Sequence, residues 1–268
     1  MYPGVCKATK KDGTVYYRAN ITYKGTHISI GSYSAEDECF LAYSEAKKIL
    51  SDTTITIENF QSLLKYLSFE KIICLLNYRD NNIYIKNPIY LSKNFFLYYL
   101  SSNVTLKFDK DDLFYYSSHK IMSRGGHLFV NDYGTQYSLL SRYGIKQYAV
   151  KGKDYCFVNN DDTDFRYSNI LVINKYHGVS KETKNKKDIF VAKIHLNGDF
   201  IVGKYHDEAT AAIAYNKAVD VCKSRGLDKN FPQNYVIEYS PKEYADIYTN
   251  IKISSEIYKF FRNKNFRK

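Results

Sequence analysis

The stretch "YHGVSKETKNKKDIFVAKIHLNGDFIVGKYHDEATAAIAYNKAVDVC" (176–222) decides the fold. Phe190, Ala192 and Ile194 alternate with polar or smaller neighbours, the period of a strand with one buried face. The "NG" pair, Asn197–Gly198, is the turn chemistry of a tight hairpin. Beyond it Phe200 and Val202 return to the same inner face. A short strand follows "GV" ahead of these two. The acidic "DEA" then starts a helix whose Ala214 and Ala218 let it lie close against a sheet. The unit reads as a three-stranded antiparallel sheet with one helix on its back.

The same pattern occurs at the other end: "YPGVCKATKKDGTVYYRANITYKGTHISIGSYSAEDECFLAYSEAKKIL" (2–50). Gly4 matches Gly178 at an offset of 174, Ala19 and Ile21 match Ala192 and Ile194 at 173, and Gly31, Tyr33, Ala42, Tyr43 and Ala46 match Gly203, Tyr205, Ala214, Tyr215 and Ala218 at 172. The offset changes by one residue at a time and only in polar loops, where hairpins tolerate length change. Tyr17, Ala19 and Ile21, then Ile28 and Ile30, form the inner face, with a "KG" turn at Lys24–Gly25. The outer face carries Arg18, Asn20, Thr22, His27 and Ser29 in the first copy. In the second it carries Val191, Lys193, His195, Asp199 and Ile201.

A chain of 268 residues is long enough for two or three small domains. Its net charge of +11 suits a polyanionic partner, nucleic acid before anionic membrane. Five scattered cysteines without a CxxC pair exclude a disulfide framework and a zinc ribbon, and imply thiols in a reducing cytoplasm. The most apolar run, "IYIKNPIYLSKNFFLYYL" (83–100), is interrupted by Lys86, Pro88 and Lys93 and makes no clean membrane span. No signal pattern opens the chain. These features imply a soluble intracellular protein with no membrane partner.

Both repeats resemble the ethylene-response-factor (Apetala-type) DNA-binding domain family. That family runs Tyr-Arg-Gly-Val, aromatic-x-Ala-x-Ile, Leu-Gly-x-Phe, Ala-x-Ala-Tyr-x-x-Ala and Asn-Phe-Pro. Here "YHGV", "FVAKI", "VGKY", "AAIAYNKA" and "NFP" follow in order over 176–232, and "YPGV", "YRANI", "IGSY" and "LAYSEA" match in the first copy without the closing motif. The resemblance implies a sheet that lies in the DNA major groove and reads base edges. The plant members grip DNA with first-strand arginines. The matching positions are Pro3, Cys6 and Ala8, and His177, Ser180 and Glu182, so the plant target sequence does not carry over. Lys7, Lys10, Lys181 and Lys184 are the expected phosphate contacts, which position without specifying.

Between the repeats, "TIENFQSLLKYLSFEKIICLLNY" (56–78) has helical spacing at Phe60, Leu63, Leu64, Leu67, Ile72, Ile73, Leu75 and Leu76. Further on, "VNNDDTDFRYSNILVI" (158–173) resembles the HNH nuclease family of homing endonucleases through Val158, Asn159, Asp161, Asp164, Arg166, Asn169 and Ile170. In that family an Asp-His or His-His pair precedes this motif and supplies metal ligand and general base. Those positions are Cys156 and Phe157 here, and the upstream histidine position falls at Ser141. Asn169 is retained but cannot hold an ion alone, so no catalytic set and no metal or other cofactor is expected. Arg166 is an expected phosphate contact. The opposing reading is an active metal-dependent endonuclease whose ion is held by His119 and His127. A reading as an RNA-binding protein that stacks bases on tyrosine is weaker, because the named outer-face residues are not aromatic.

The expected architecture is multi-domain α+β. A sheet-plus-helix DNA-binding module occupies 1–50, and a helical connecting region 51–115. A degenerate HNH-like region, mixed helical and ββα-metal-like, occupies 116–175. The second module occupies 176–236, and a C-terminal helix with a basic tail 237–268. That helix has three uses left open: packing on the body, homodimerisation or phosphate contact. The expected function is sequence-specific binding of double-stranded DNA, as a regulator derived from a homing endonuclease of a phage or bacterial mobile element, acting at the nucleoid.

Overall fold

A computed structural model of the chain describes residues 2–62, 64–227 and 229–263. Among these, six α-helices and five small antiparallel sheets make an α+β fold. No helix among them is long and apolar enough to cross a membrane. The chain divides into two compact units, one of Met1–Leu139 with Asp161–Asn169, the other of Leu140–Asn160 with Ile170–Lys268. Residues 116–175, read from the sequence as one domain, therefore contribute to both units.

The first unit opens with β1 (Val5–Thr9), β2 (Val15–Tyr23) and β3 (Thr26–Tyr33), a sheet in that order, followed by α1 (Glu36–Ser51). Ala19, Ile28, Ala42 and Ala46 are fully buried between sheet and helix. The helical spacing of 56–78 is broken in the structure. A single turn at Phe60–Ser62 precedes α2 (Phe69–Asn81). The interruption has a cause in α1: the Glu45 carboxylate accepts the backbone N–H groups of Lys65, Tyr66 and Leu67 at 2.7, 2.8 and 2.9 Å. Ser68 then accepts from Lys71 N–H and caps α2. Leu63 lies outside the described residues.

Residues 51–115 also hold a sheet that helical spacing did not suggest: β4 (Ile89–Leu91), β5 (Phe95–Tyr99) and β6 (Thr105–Asp109). Phe96, Tyr98, Leu106 and Phe108 alternate with half-buried neighbours and are almost fully buried, so this run is strand by period. After α3 (Leu113–Ser118) comes the meander β7 (Ile121–Arg124), β8 (His127–Asp132) and β9 (Thr135–Ser138).

The second unit contains the ribbon β10 (Tyr155–Phe157) and β11 (Ile170–Val172). It then repeats the first motif with β12 (Val179–Lys184), β13 (Lys187–His195), β14 (Asp199–Tyr205) and α4 (Glu208–Ser224). Asp207 caps α4 by accepting from Thr210 N–H at 2.6 Å. The C-terminal segment forms two helices, α5 (Pro241–Asn250) and α6 (Ser255–Asn263), where the sequence suggested one. Lys217 of α4 donates to the carbonyls of Tyr248, Thr249 and Ile251, which ends α5. Ile257 of α6 is fully buried in the same core as α4, and Phe260 packs edge-on against Phe200 at 5.3 Å. The end of the basic tail, 264–268, lies outside the described residues. All five cysteines are free thiols, with Cys39, Cys74 and Cys222 buried and Cys6 exposed.

The two sheet-plus-helix motifs agree in detail. Gly4 and Gly178 stand at φ +72° and +70°, and their carbonyls accept from the equivalent Asn20 and Lys193 N–H groups at 2.9 and 2.7 Å. Each sheet has a bulge at the same place, after Ala19 and after Ala192. Tyr33 and Tyr205 donate their hydroxyls to Tyr66 and Lys252 carbonyls at 3.2 Å each, tying a later segment to the third strand. The motif's first residue diverges: Tyr2 stacks on Phe40 at 4.3 Å, whereas Tyr176 donates to Glu238, which also pairs with Lys175.

A Cβ at Gly178 would stand 2.4 Å from the Tyr215 ring and 2.7 Å from the Lys193 carbonyl. Gly178→Ala is expected to cost about 2–4 kcal/mol, from backbone strain of ~1 and overpacking of ~1–3 kcal/mol. Gly13→Ala, at φ +84° with nothing within 4 Å, should show the backbone cost alone. Denaturant unfolding of the two variants measures the difference. Burial works to raise the Glu238 carboxyl, but hydrogen bonds from Lys175 and Tyr176 outweigh it and hold the group down at about 2. The folded value lies below the ordinary 4.5, so this stabilisation is present above pH 4.5 and is lost as pH falls toward 2. The difference in thermal midpoint between wild type and Glu238→Gln should shrink through that window.

Candidate nucleic-acid interface

Opposed residues of an antiparallel pair share a face. In the first sheet Arg18 opposes both Cys6 and Ser32, Asn20 opposes Ser29, and Thr22 opposes His27. The five expected outer-face residues therefore do share one face, with Arg18, Thr22, His27 and Ser29 exposed and Asn20 half-buried. Arg18 donates to the Tyr16 hydroxyl and its guanidinium lies 5.1 Å from the Tyr16 ring centre. Tyr16 belongs to this face and was legible by alternation from Arg18. Lys7 does not: it opposes Tyr17, on the helix side of the sheet. Counting alternately from buried Val5 gives the same result. Lys10 is exposed in the turn between β1 and β2.

In the second sheet the outer face is Ser180, Glu182, Lys184, Lys187, Ile189, Val191, Lys193, His195, Asp199, Ile201 and Lys204 by register. Val191 is fully buried and stands outside the helix-side core, so it presents nothing to a partner. Glu182 of β12 lies 4.0 Å from both Lys193 of β13 and Lys204 of β14. His195 pairs with Asp199 at 2.7 Å. Lys181 opposes Phe190 and so faces the helix side, where it pairs with Asp188 at 2.7 Å. Lys184 is exposed at the hairpin opposite Lys187. The bulge adds Val202 to β14 and turns Lys204 outward, which simple alternation from Ile201 misses.

His177, at a position where the plant domains carry arginine, is not on this face. Its ring packs edge-on against Tyr148 at 4.2 Å and Tyr215 at 5.3 Å, and burial holds its imidazole below the usual range. The backbone of His177 exchanges two hydrogen bonds with Asn234, which exchanges two more with Asn216 of α4.

The segment 158–169 forms a loop held by contacts of its own side chains. Asn169 donates to the carbonyls of Asp161 and Asp164 at 3.2 and 2.8 Å. Asp164, almost fully buried, takes the Arg166 guanidinium at 2.6 and 2.9 Å, so Arg166 is engaged and only partly presented to solvent. The loop docks on β6 through Lys107 N–H to Thr163 O and Phe165 N–H to Lys107 O. Phe157 is buried opposite Ile170, Cys156 opposes Leu171, and Ser141 lies in the turn Leu139–Tyr143. His119 stacks on Tyr115 at 4.1 Å and lies 3.5 Å from Asp132, while His127 is exposed opposite Arg124. Among the described residues no three His, Cys, Asp or Glu side chains gather as metal ligands.

If Asn169 holds the loop rather than a reacting group, Asn169→Ala should cost about 2–3 kcal/mol by stranding two acceptors. Urea unfolding reads this directly, and an unchanged midpoint would count against the structural role. Comparison with protein-family models, with curated proteins and with solved structures finds no match for the chain.

Proposed function

We propose that the chain is a sequence-specific double-stranded DNA-binding protein, a regulator descended from a homing endonuclease of a mobile element, acting in the cytoplasm at the nucleoid. The observation that carries this reading is the outer face of the first sheet. Arg18, Asn20, Thr22, His27 and Ser29 project together from a twisted three-stranded ribbon whose other side is packed on a helix. Such a ribbon fits the major groove, and these side chains offer both donors and acceptors to base edges. The same motif is built twice, and two linked readers gain affinity by effective concentration. The net charge of +11 favours the backbone contacts that supply most of the affinity.

The second sheet reads less. Its Glu182 offsets two lysines, Asp199 pairs with His195, and Val191 is buried, leaving Lys184, Lys187, Ile189 and Ile201 as its contribution. On this reading the central motif contributes shape in place of cleavage, with Asn169 holding two loop carbonyls and Arg166 paired with Asp164.

Selection of bound sequences from a random duplex pool, repeated with Mg²⁺ or Mn²⁺, is the direct test. Recovery of a defined site without cutting is expected; cutting at that site would favour an active endonuclease instead. On the selected duplex Arg18→Ala should lose about 1–3 kcal/mol and relax specificity at one position. Lys184→Gln should weaken all sequences alike and reduce the salt slope by about 1. Binding that ignores sequence at physiological salt would sink the proposal.

A further inference from the structure

Beside the second sheet, within the same unit, lies a half-enclosed cleft of about 450 Å³. Its size falls in the range of small-molecule sites, roughly 300–1,000 Å³, and is far too small for a duplex. Five lysines line it, Lys146, Lys153, Lys175, Lys193 and Lys229, against two acids, Asp154 and Asp199. The acids are already partnered. Asp154 accepts from Val150 N–H at 2.8 Å and Asn174 at 3.1 Å, and Asp199 pairs with His195. Some lysines are engaged too: Lys175 with Glu238, and Lys229 with the His195 carbonyl at 2.9 Å. Lys146 and Lys153 are exposed and make no salt bridge among the described residues.

The wall of the cleft is aromatic. Tyr148 is 38% exposed, so ring surface is open to a ligand, and its orientation is held by the edge-on contact with His177. Phe231 and Tyr215 back it, both buried. An aromatic face beside uncommitted ammonium groups, in a space that admits one planar ring system, matches a base with its phosphate. Lysine recognises phosphate as a point charge, with no demand for a fixed fork geometry.

We propose that this cleft binds a single nucleotide unit, with its base on Tyr148 and its phosphate between Lys146 and Lys153. The nucleotide is free in solution or is an unpaired residue of a strand. The second source rests on the DNA-binding reading above; the cleft's ligand chemistry does not.

The test uses the full chain, titrated calorimetrically with dTMP, dAMP and inorganic phosphate, and separately with a perfect duplex and the same duplex carrying one bulged nucleotide. Mononucleotides are expected to bind about tenfold or more tighter than phosphate, the scale of one stacking contact. Tyr148→Leu should erase that margin, and Lys146→Gln with Lys153→Gln should weaken both ligands, each variant retaining the wild-type circular dichroism. A bulge preference that disappears in the lysine variant assigns the ligand to a strand; mononucleotide binding without a bulge preference assigns it to free nucleotide. Phosphate binding as tightly as nucleotide, or nucleotide affinity unchanged in both variants, overturns the proposal. Mononucleotide binding without duplex binding would instead overturn the DNA-reading proposal and leave this one standing. Duplex binding with neither mononucleotide binding nor bulge preference would do the reverse.

Discussion

The two sheet-plus-helix motifs both depend on one close approach. A glycine at positive φ opens the first strand and lies against a tyrosine ring of the helix, Gly4 on Tyr43 and Gly178 on Tyr215. No side chain fits there, since a Cβ would come within 2.2 Å of Tyr43 and 2.4 Å of Tyr215. The glycine carbonyl then receives an N–H from the second strand at the point where that sheet bulges. Helix position, strand start and bulge are thus set together. This explains why "YxGV" and "AYxxA" recur as a pair, although some 40 residues separate them in each copy.

What each sheet then offers outward is governed by charge partnership. In the first sheet Arg18 rests on Tyr16, a neutral ring that leaves its charge intact. In the second, Glu182 sits between Lys193 and Lys204, and Asp199 holds His195. Exposed pairs of this kind add little to stability, but they reduce the positive potential a phosphate would feel. In the same unit, Lys146 and Lys153 line the cleft beside this sheet without a salt bridge among the described residues.

The Asp161–Asn169 loop of the central segment is held by its own polar residues. Asp161, Asp164, Arg166 and Asn169 are joined by loop contacts, with Asp161 accepting from both groups of Thr163 and Asn169 tying Asp161 to Asp164. Buried polar groups must be satisfied, and the buried Asp164 and Asn169 both find partners in this loop. Phe157 is buried and serves the packing of a two-stranded ribbon, opposite Ile170.

The sequence by itself determined the elements that repeat with period and small residues: two three-stranded sheets, each backed by an alanine-bearing helix, and an outer face led by Arg18. It also carried, unread, the side of the sheet on which Lys7 lies, since alternation from Val5 places it with the core. Tertiary structure alone decided the rest. The bulges turned Lys204 and Ser32 outward, Glu45 broke the helical run before α2, and Lys217 ended α5. Docking of the Asp161–Asn169 loop on β6 divided the central segment between the units. The reason is physical: local periodicity sets which way a side chain points within its own element. Whether that side chain is then buried, neutralised or left for a partner depends on groups brought to it from distant parts of the chain.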